Sequence, residues 1–150
     1  MSRVSAYKID KNIESEMFRK FWSSIPLLRD ASAASSFFSD LLTDTEEVML
    51  AKRFTIAILL LSGKRPIDIR AILHVSYSTI GTVSSWLKNA KPQTTQLLKH
   101  MMKESTWESF IDQIDAALDV LPPRYGTDWS KAGKAKWKRK MERASRQSLR

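Results

Sequence analysis

The chain has 150 residues, no cysteine, and 25 Lys plus Arg against 16 Asp plus Glu, a formal net charge of +9. Without thiols it forms no disulfide and no thiolate metal site, and no run of about 18 apolar residues is present to span a bilayer. The length fits one domain with decorated ends, and the positive balance favours a polyanionic partner.

In chain order, Ile13, Met17, Phe18, Phe21, Trp22, Ile25 and Leu27-Leu28 recur at helical spacing and predict a first amphipathic helix. A second, shorter helix is expected over about Ala34 to Leu42. Thr43 then caps a third helix, with Glu46 completing a capping box. From Val48 to Leu61 this helix is too apolar for a single buried stripe, and Gly63 closes it. Burial on two sides is expected, as the centre of a core and part of a subunit interface.

The stretch from Arg65 to Leu87 is the most informative. Ile69, Leu73, Val75, Ile80 and Val83 fall at a spacing that no single helix gives, and the break in period marks a turn between two helices. Pro66 suits a first helical turn, since its missing N–H would be unsatisfied there and its φ is already helical. Ser76 is placed to cap the second helix, which is expected over about Tyr77 to Lys88. Two positions depart from the common helix-turn-helix pattern: Arg70 stands where a small residue is usual, and His74 where glycine takes a left-handed turn. The exposed face of the second helix offers Tyr77, Ser78, Thr79 and Thr82, short side chains able to reach base edges or phosphates from the major groove. It lacks Arg, Asn and Gln, so direct readout from this helix is expected to be modest.

Further on, Trp107, Phe110, Ile111, Ile114, Ala117, Leu118 and Leu121 predict a helix from about Ser105, with Ser105 and Glu108 as a second capping box. Pro122-Pro123-Arg124-Tyr125-Gly126 marks a boundary. Residues 127–150 hold nine basic residues against two acidic ones, +7 of the chain's +9, and read as a disordered or helical basic arm able to lie along phosphates.

No hairpin signal occurs and only four glycines are present, so the fold class expected is all-α. His74 and His100 match no ligand spacing and read as turn or surface residues. Asp112 and Asp115 share a helix face and read as solvated charge. No phosphate loop, nucleophile elbow or carboxylate pair stands out, so no catalytic residue, metal or cofactor is expected. No signal-like start appears, and a soluble cytoplasmic protein is expected.

Phe37-Phe38-Ser39-Asp40-Leu41-Leu42-Thr43, Glu46, Leu50, Arg53, Ile56, Leu60-Leu61 and Gly63, followed by Leu73, Thr79-Ile80, Leu87-Lys88 and Ala90, resemble the tryptophan repressor-like family. The resemblance covers roughly residues 30 to 103 and needs a gap of about one residue between Gly63 and Ile69. It implies an intertwined all-helical homodimer whose recognition helices enter successive major grooves of a palindromic operator, about 34 Å apart. The family holds its corepressor indole between two arginines. Arg53 matches one and is the candidate ligand residue, whereas Thr82 replaces the second and Trp86 replaces a small serine that receives the ligand's amino group. Those departures argue against tryptophan as corepressor and leave any small-molecule effector unidentified. Trp86 is expected as a knob between recognition helix and core, or as the filler of the vacated pocket. Ile67 replaces the family's basic base reader, while Arg70 matches a basic position that faces DNA.

The expected organisation is an N-terminal helical extension over 1–30, a helix-turn-helix domain over 31–103, an added helix over 104–126 and a basic tail over 127–150. The expected activity is that of a double-stranded-DNA-binding regulator, a repressor, using Lys64, Arg65, Arg70, Ser76, Tyr77, Ser78, Thr79, Thr82 and Lys88. The alternatives are a nucleic-acid or protein interaction module, and a DNA-binding accessory of a mobile element.

Overall fold

In a computed structural model, residues 9–120 and 129–148 are described. Leu121, the Pro122–Gly126 boundary and Arg150 lie outside them, as do the side chains of Trp129, Arg139, Arg143 and Arg146. The chain divides into two compact units, Met1–Met49 and Leu50–Arg150. Among the described residues all regular structure is helical, as the sequence leads one to expect.

In the first unit, α1 (Lys11–Ser24) starts at Asp10, whose carboxylate accepts from the N–H groups of Asn12 and Ile13. It ends ten residues before the second predicted start, because Pro26 cannot donate to the ladder. Residues Ile25–Leu27 form one turn of 3-10 helix instead. Helix α2 (Ala31–Leu41) begins three residues earlier than expected: Asp30 caps it by accepting from Ala33 N–H at 2.8 Å. No residue of α1 or α2 is buried, and Ile13, Met17, Phe18 and Trp22 stand on α1 about half exposed or more.

Helix α3 (Asp44–Leu61) begins at the end of the first unit. The capping box forms as the sequence indicates: Thr43 N–H donates to Glu46 Oε2 at 3.1 Å, and Glu46 N–H to Thr43 Oγ1 at 3.4 Å. Its burial is graded along its length. Val48, Leu50 and Phe54 are exposed, while Ile56, Ala57, Ile58 and Leu59 are fully buried. The single chain therefore buries only the C-terminal half of the helix that the sequence marks as apolar nearly all round.

The end of α3 is a Schellman turn. Gly63 takes φ 81°, its N–H donates to Leu60 O at 3.1 Å, and the Lys64 N–H reaches back to Leu59 O at 2.9 Å. A left-handed residue is required there, and glycine adopts it without steric cost.

The second unit continues with α4 (Pro66–Leu73), α5 (Tyr77–Asn89), α6 (Pro92–Met101), α7 (Ser105–Val120) and α8 (Trp129–Ser148). Its core joins Ile56, Ala57 and Leu59 of α3, Ile69 of α4, Ile80 and Val83 of α5 and Ile114 of α7. Leu73, Val75, Phe110, Ile111 and Leu118 pack around them, so the whole apolar set read from the Ile69–Val83 spacing is inside or against one core. Trp107 lies edge-on to both Phe54 and Phe110, at 5.5 and 5.6 Å between centroids.

Two expectations about α7 are corrected. The helix starts at Ser105 as expected, but Ser105 is already helical and the carbonyl of Glu104 accepts from Trp107 and Glu108 N–H, so the cap lies at Glu104, one residue before the expected one. Asp115 is not solvated charge: it is 4% exposed, and its Oδ1 receives Lys64 Nζ at 2.5 Å. A carboxylate is tolerated in that position because a cation comes with it. The basic arm takes the helical one of its two expected states, as α8.

Candidate nucleic-acid interface

Helices α4 and α5 and the turn between them form the helix-turn-helix. Arg65 precedes α4 with extended backbone, φ −74° and ψ 146°, and Pro66 occupies the first helical position without needing a donor. The helix stops at His74, which adopts φ 50° and ψ 50° and donates its N–H to Arg70 O at 3.0 Å. Among the described residues it is the one non-glycine with positive φ. Imidazole thus takes the left-handed position that glycine usually fills, at a cost of order 1 kcal/mol.

Ser76 then caps α5. Its Oγ accepts from Thr79 N–H at 3.2 Å and lies 2.8 Å from Ser78 Oγ and 2.9 Å from Thr79 Oγ1. Ile80 and Val83 turn inward and are nearly fully buried, which leaves Tyr77, Ser78, Gly81, Thr82 and Ser85 exposed on the other side. This orientation follows from the 3.6-residue period: once Ile80 and Val83 anchor the helix, the residues between them must face out.

Arg70, on the last turn of α4, extends over the ring of Tyr77, the first residue of α5, with Cζ 5.0 Å from the ring centroid. Both side chains are exposed. The stack fixes a guanidinium beside the recognition helix without burying its five donors. An open concavity lined by Arg70, Ala71, His74, Val75 and Ser76 lies next to it.

The other cations differ in availability. Arg65 is exposed but forked onto Asp68, Nε to Oδ2 at 2.8 Å and Nη2 to Oδ1 at 2.9 Å. That hydrogen-bonded pairing and its charge raise the Arg65 pKa, against a smaller opposing effect of burial. Lys64 is turned inward to Asp115, its side chain 18% exposed. Lys88 is exposed in the last turn of α5. Among the hydroxyls, Thr82 Oγ1 donates to Ser78 O at 3.0 Å, and Thr79 is half-buried. Ser76, Ser78 and Thr79 form one local network whose oxygens retain acceptor capacity.

Residues 16–102 match the family described as Trp repressor protein, more than half the chain and the whole of the reading head. The chain belongs to the Trp repressor family. In this family the all-helical fold carries a DNA-binding helix-turn-helix, and α4, the turn and α5 are that motif here. Comparisons with curated proteins and with solved structures gave no match.

Arg53, the candidate ligand residue, is exposed on α3, and Thr82 and Trp86 are exposed on α5. Trp86 is 47% exposed, which corrects both expectations for it. Within the single chain its ring is neither a knob wedged into the core nor the filler of a closed pocket. Among the described residues no group of His, Asp or Glu is arranged to hold a metal ion, and no helix is long and apolar enough to cross a membrane.

The sequence missed the partnership of Lys64 with Asp115. The two are 51 positions apart, and no local pattern distinguishes a buried carboxylate from a solvated one.

Proposed function

We propose that this member of the Trp repressor family is a sequence-specific transcriptional repressor that binds a palindromic operator as a homodimer, without tryptophan as corepressor. The observation that carries the reading is the Arg70–Tyr77 stack at the junction of α4 and α5. It holds a planar, five-donor cation at the start of a recognition helix whose outward face is otherwise short hydroxyls. Arg70 supplies the strongest contact. Tyr77, Ser78, Thr79 and Thr82 face the groove, while Arg65, Ser76 and Lys88 approach phosphates. Lys64 acts from behind, through its ion pair with Asp115.

The homodimer is favoured by apolar surface that one chain leaves uncovered. Ile13, Met17, Phe18 and Trp22 on α1, and Val48, Leu50 and Phe54 on α3, are more than a third exposed, an unusual display for a monomer. In this reading residues 31–103 form the reading domain, preceded by a helical extension over 1–30.

Independence from tryptophan rests on the replacement of a cation by Thr82 and of a small serine by Trp86. Sedimentation of the full chain, alone and with an operator-length duplex, tests the assembly. A dimer that forms a complex of two chains per duplex is expected; a monomer that leaves the duplex unbound overturns it.

A further inference from the structure

Helix α8 lies beyond the part of the chain that the family covers, and none of its described side chains is buried. Its 20 residues extend about 30 Å at 1.5 Å per residue, close to one turn of B-DNA. Four exposed lysines form two i, i+4 pairs. Lys134 and Lys138 share one face, and Lys136 and Lys140 share another, roughly opposite. Trp137 and Met141, 65% and 51% exposed, form a narrow stripe between the two rows, and Glu142 is the acidic residue of the helix.

From this arrangement we infer that α8 is a second DNA-contacting element, which lies along the phosphates flanking the operator while the α4–α5 head reads it. The inference rests on the DNA-binding reading above and extends it to a part of the chain that the family does not include. Charge complementarity selects the partner. Residues 127–150 carry +7, and duplex DNA presents one negative charge per about 1.7 Å of axis. A membrane surface fits less well, because an interfacial helix needs a broad apolar face, and here it is two large residues wide. Attachment to a head already on DNA makes the contact intramolecular, so weak individual lysine–phosphate contacts suffice. The lysine rows carry no base-reading geometry, so α8 adds affinity that is indifferent to sequence.

The test is a salt titration of DNA binding with the full chain and with a Lys134→Gln, Lys136→Gln, Lys138→Gln, Lys140→Gln variant. Glutamine keeps helix propensity close to that of lysine, and circular dichroism checks that the helix content is unchanged. Binding is read by fluorescence anisotropy on an operator duplex and on a scrambled duplex, with phosphatidylserine vesicles as a third titrant. If each lysine neutralises one phosphate, the slope of log K against log salt becomes shallower by about 0.9 per lysine, roughly 3.6 in all, on both duplexes. That fall with the operator preference intact supports the inference together with the head reading. A fall on both duplexes without any operator preference supports α8 as a DNA contact while removing the head reading. An unchanged slope with operator preference retained overturns the inference alone. Loss of vesicle binding in the variant with an unchanged DNA slope overturns it in favour of an acidic membrane.

Discussion

Removing the carboxylate charge of Asp115 strands the ammonium of Lys64 immediately ahead of α4. Asp115 is 4% exposed and Lys64 keeps 18% of its side-chain surface in solvent, so the pair is buried on one side and reachable on the other. Breaking a fully buried pair by deleting one partner costs about 3–5 kcal/mol. Lys64 can relieve part of this by swinging its flexible stem outward, so Asp115→Asn is expected to cost about 2–3 kcal/mol. In a chain of this length that lowers Tm by roughly 6–12 °C. Replacing both partners by apolar residues of similar volume, Lys64→Met with Asp115→Leu, is expected to recover most of the loss, because the desolvation of two charges disappears with their attraction. The assay is urea denaturation followed by circular dichroism at one fixed protomer concentration, with the unsubstituted chain, Lys64→Met, Asp115→Leu and their combination forming a double-mutant cycle. A loss below about 0.5 kcal/mol for Asp115→Asn, or equal costs for Lys64→Met with and without the Asp115 carboxylate, would refute the reasoning that this pair fastens α7 to the entry of the reading head.

Arg70→Ala is expected to weaken operator binding and to relax preference at one base-pair position in each half-site, measured by competition among single-substitution duplexes. Tyr77→Phe keeps the ring under Arg70 and should leave that preference in place. Tyr77→Leu removes the platform and should cost affinity by about two- to fivefold, in line with about 0.5–1 kcal/mol for an exposed cation–π contact. Replacing His74 by glycine relieves the left-handed backbone at φ 50° and should raise stability by about 1 kcal/mol in the same urea experiment; a loss would mean that the imidazole itself holds the turn. Saturating tryptophan should leave DNA affinity unchanged within about twofold, under 0.5 kcal/mol of coupling, whereas a tenfold gain would restore the corepressor reading.

The reading head was legible in the sequence because its signals are local. Pro66 fixes a helix start by its helical φ and its missing donor, and Ser76 fixes one by accepting from the Thr79 N–H. Ile69, Leu73, Val75, Ile80 and Val83 specify a face that only one turn geometry can bury together. Even the departure at His74 was visible, since the pattern calls for a left-handed residue there and the chain supplies one. Helix α6 has a proline start at Pro92 like that of α4, but no sustained apolar face follows it, and among its residues only Leu98 is buried. The start of α2 lies earlier than the sequence indicates because Asp30, between Arg29 and Ala31, shows its capping role only through the bond it accepts from Ala33 N–H. Lys64 read as one more cation before the motif, and Asp115 as one more charge on a helix. Only the three-dimensional packing of α7 against α4 brings them together. The apolar surplus of α1 and of the first half of α3 was legible as composition, and among the described residues these side chains stay more than a third exposed.

Whether α4 and α5 read sequence is decided by selection of bound fragments from a random-sequence DNA pool at near-physiological salt. Enrichment of a palindrome whose half-sites are about one helical turn apart is expected, as two symmetry-related recognition helices require. A pool that binds the protein yet yields no enriched sequence would contradict it, leaving a basic protein that holds DNA without reading it.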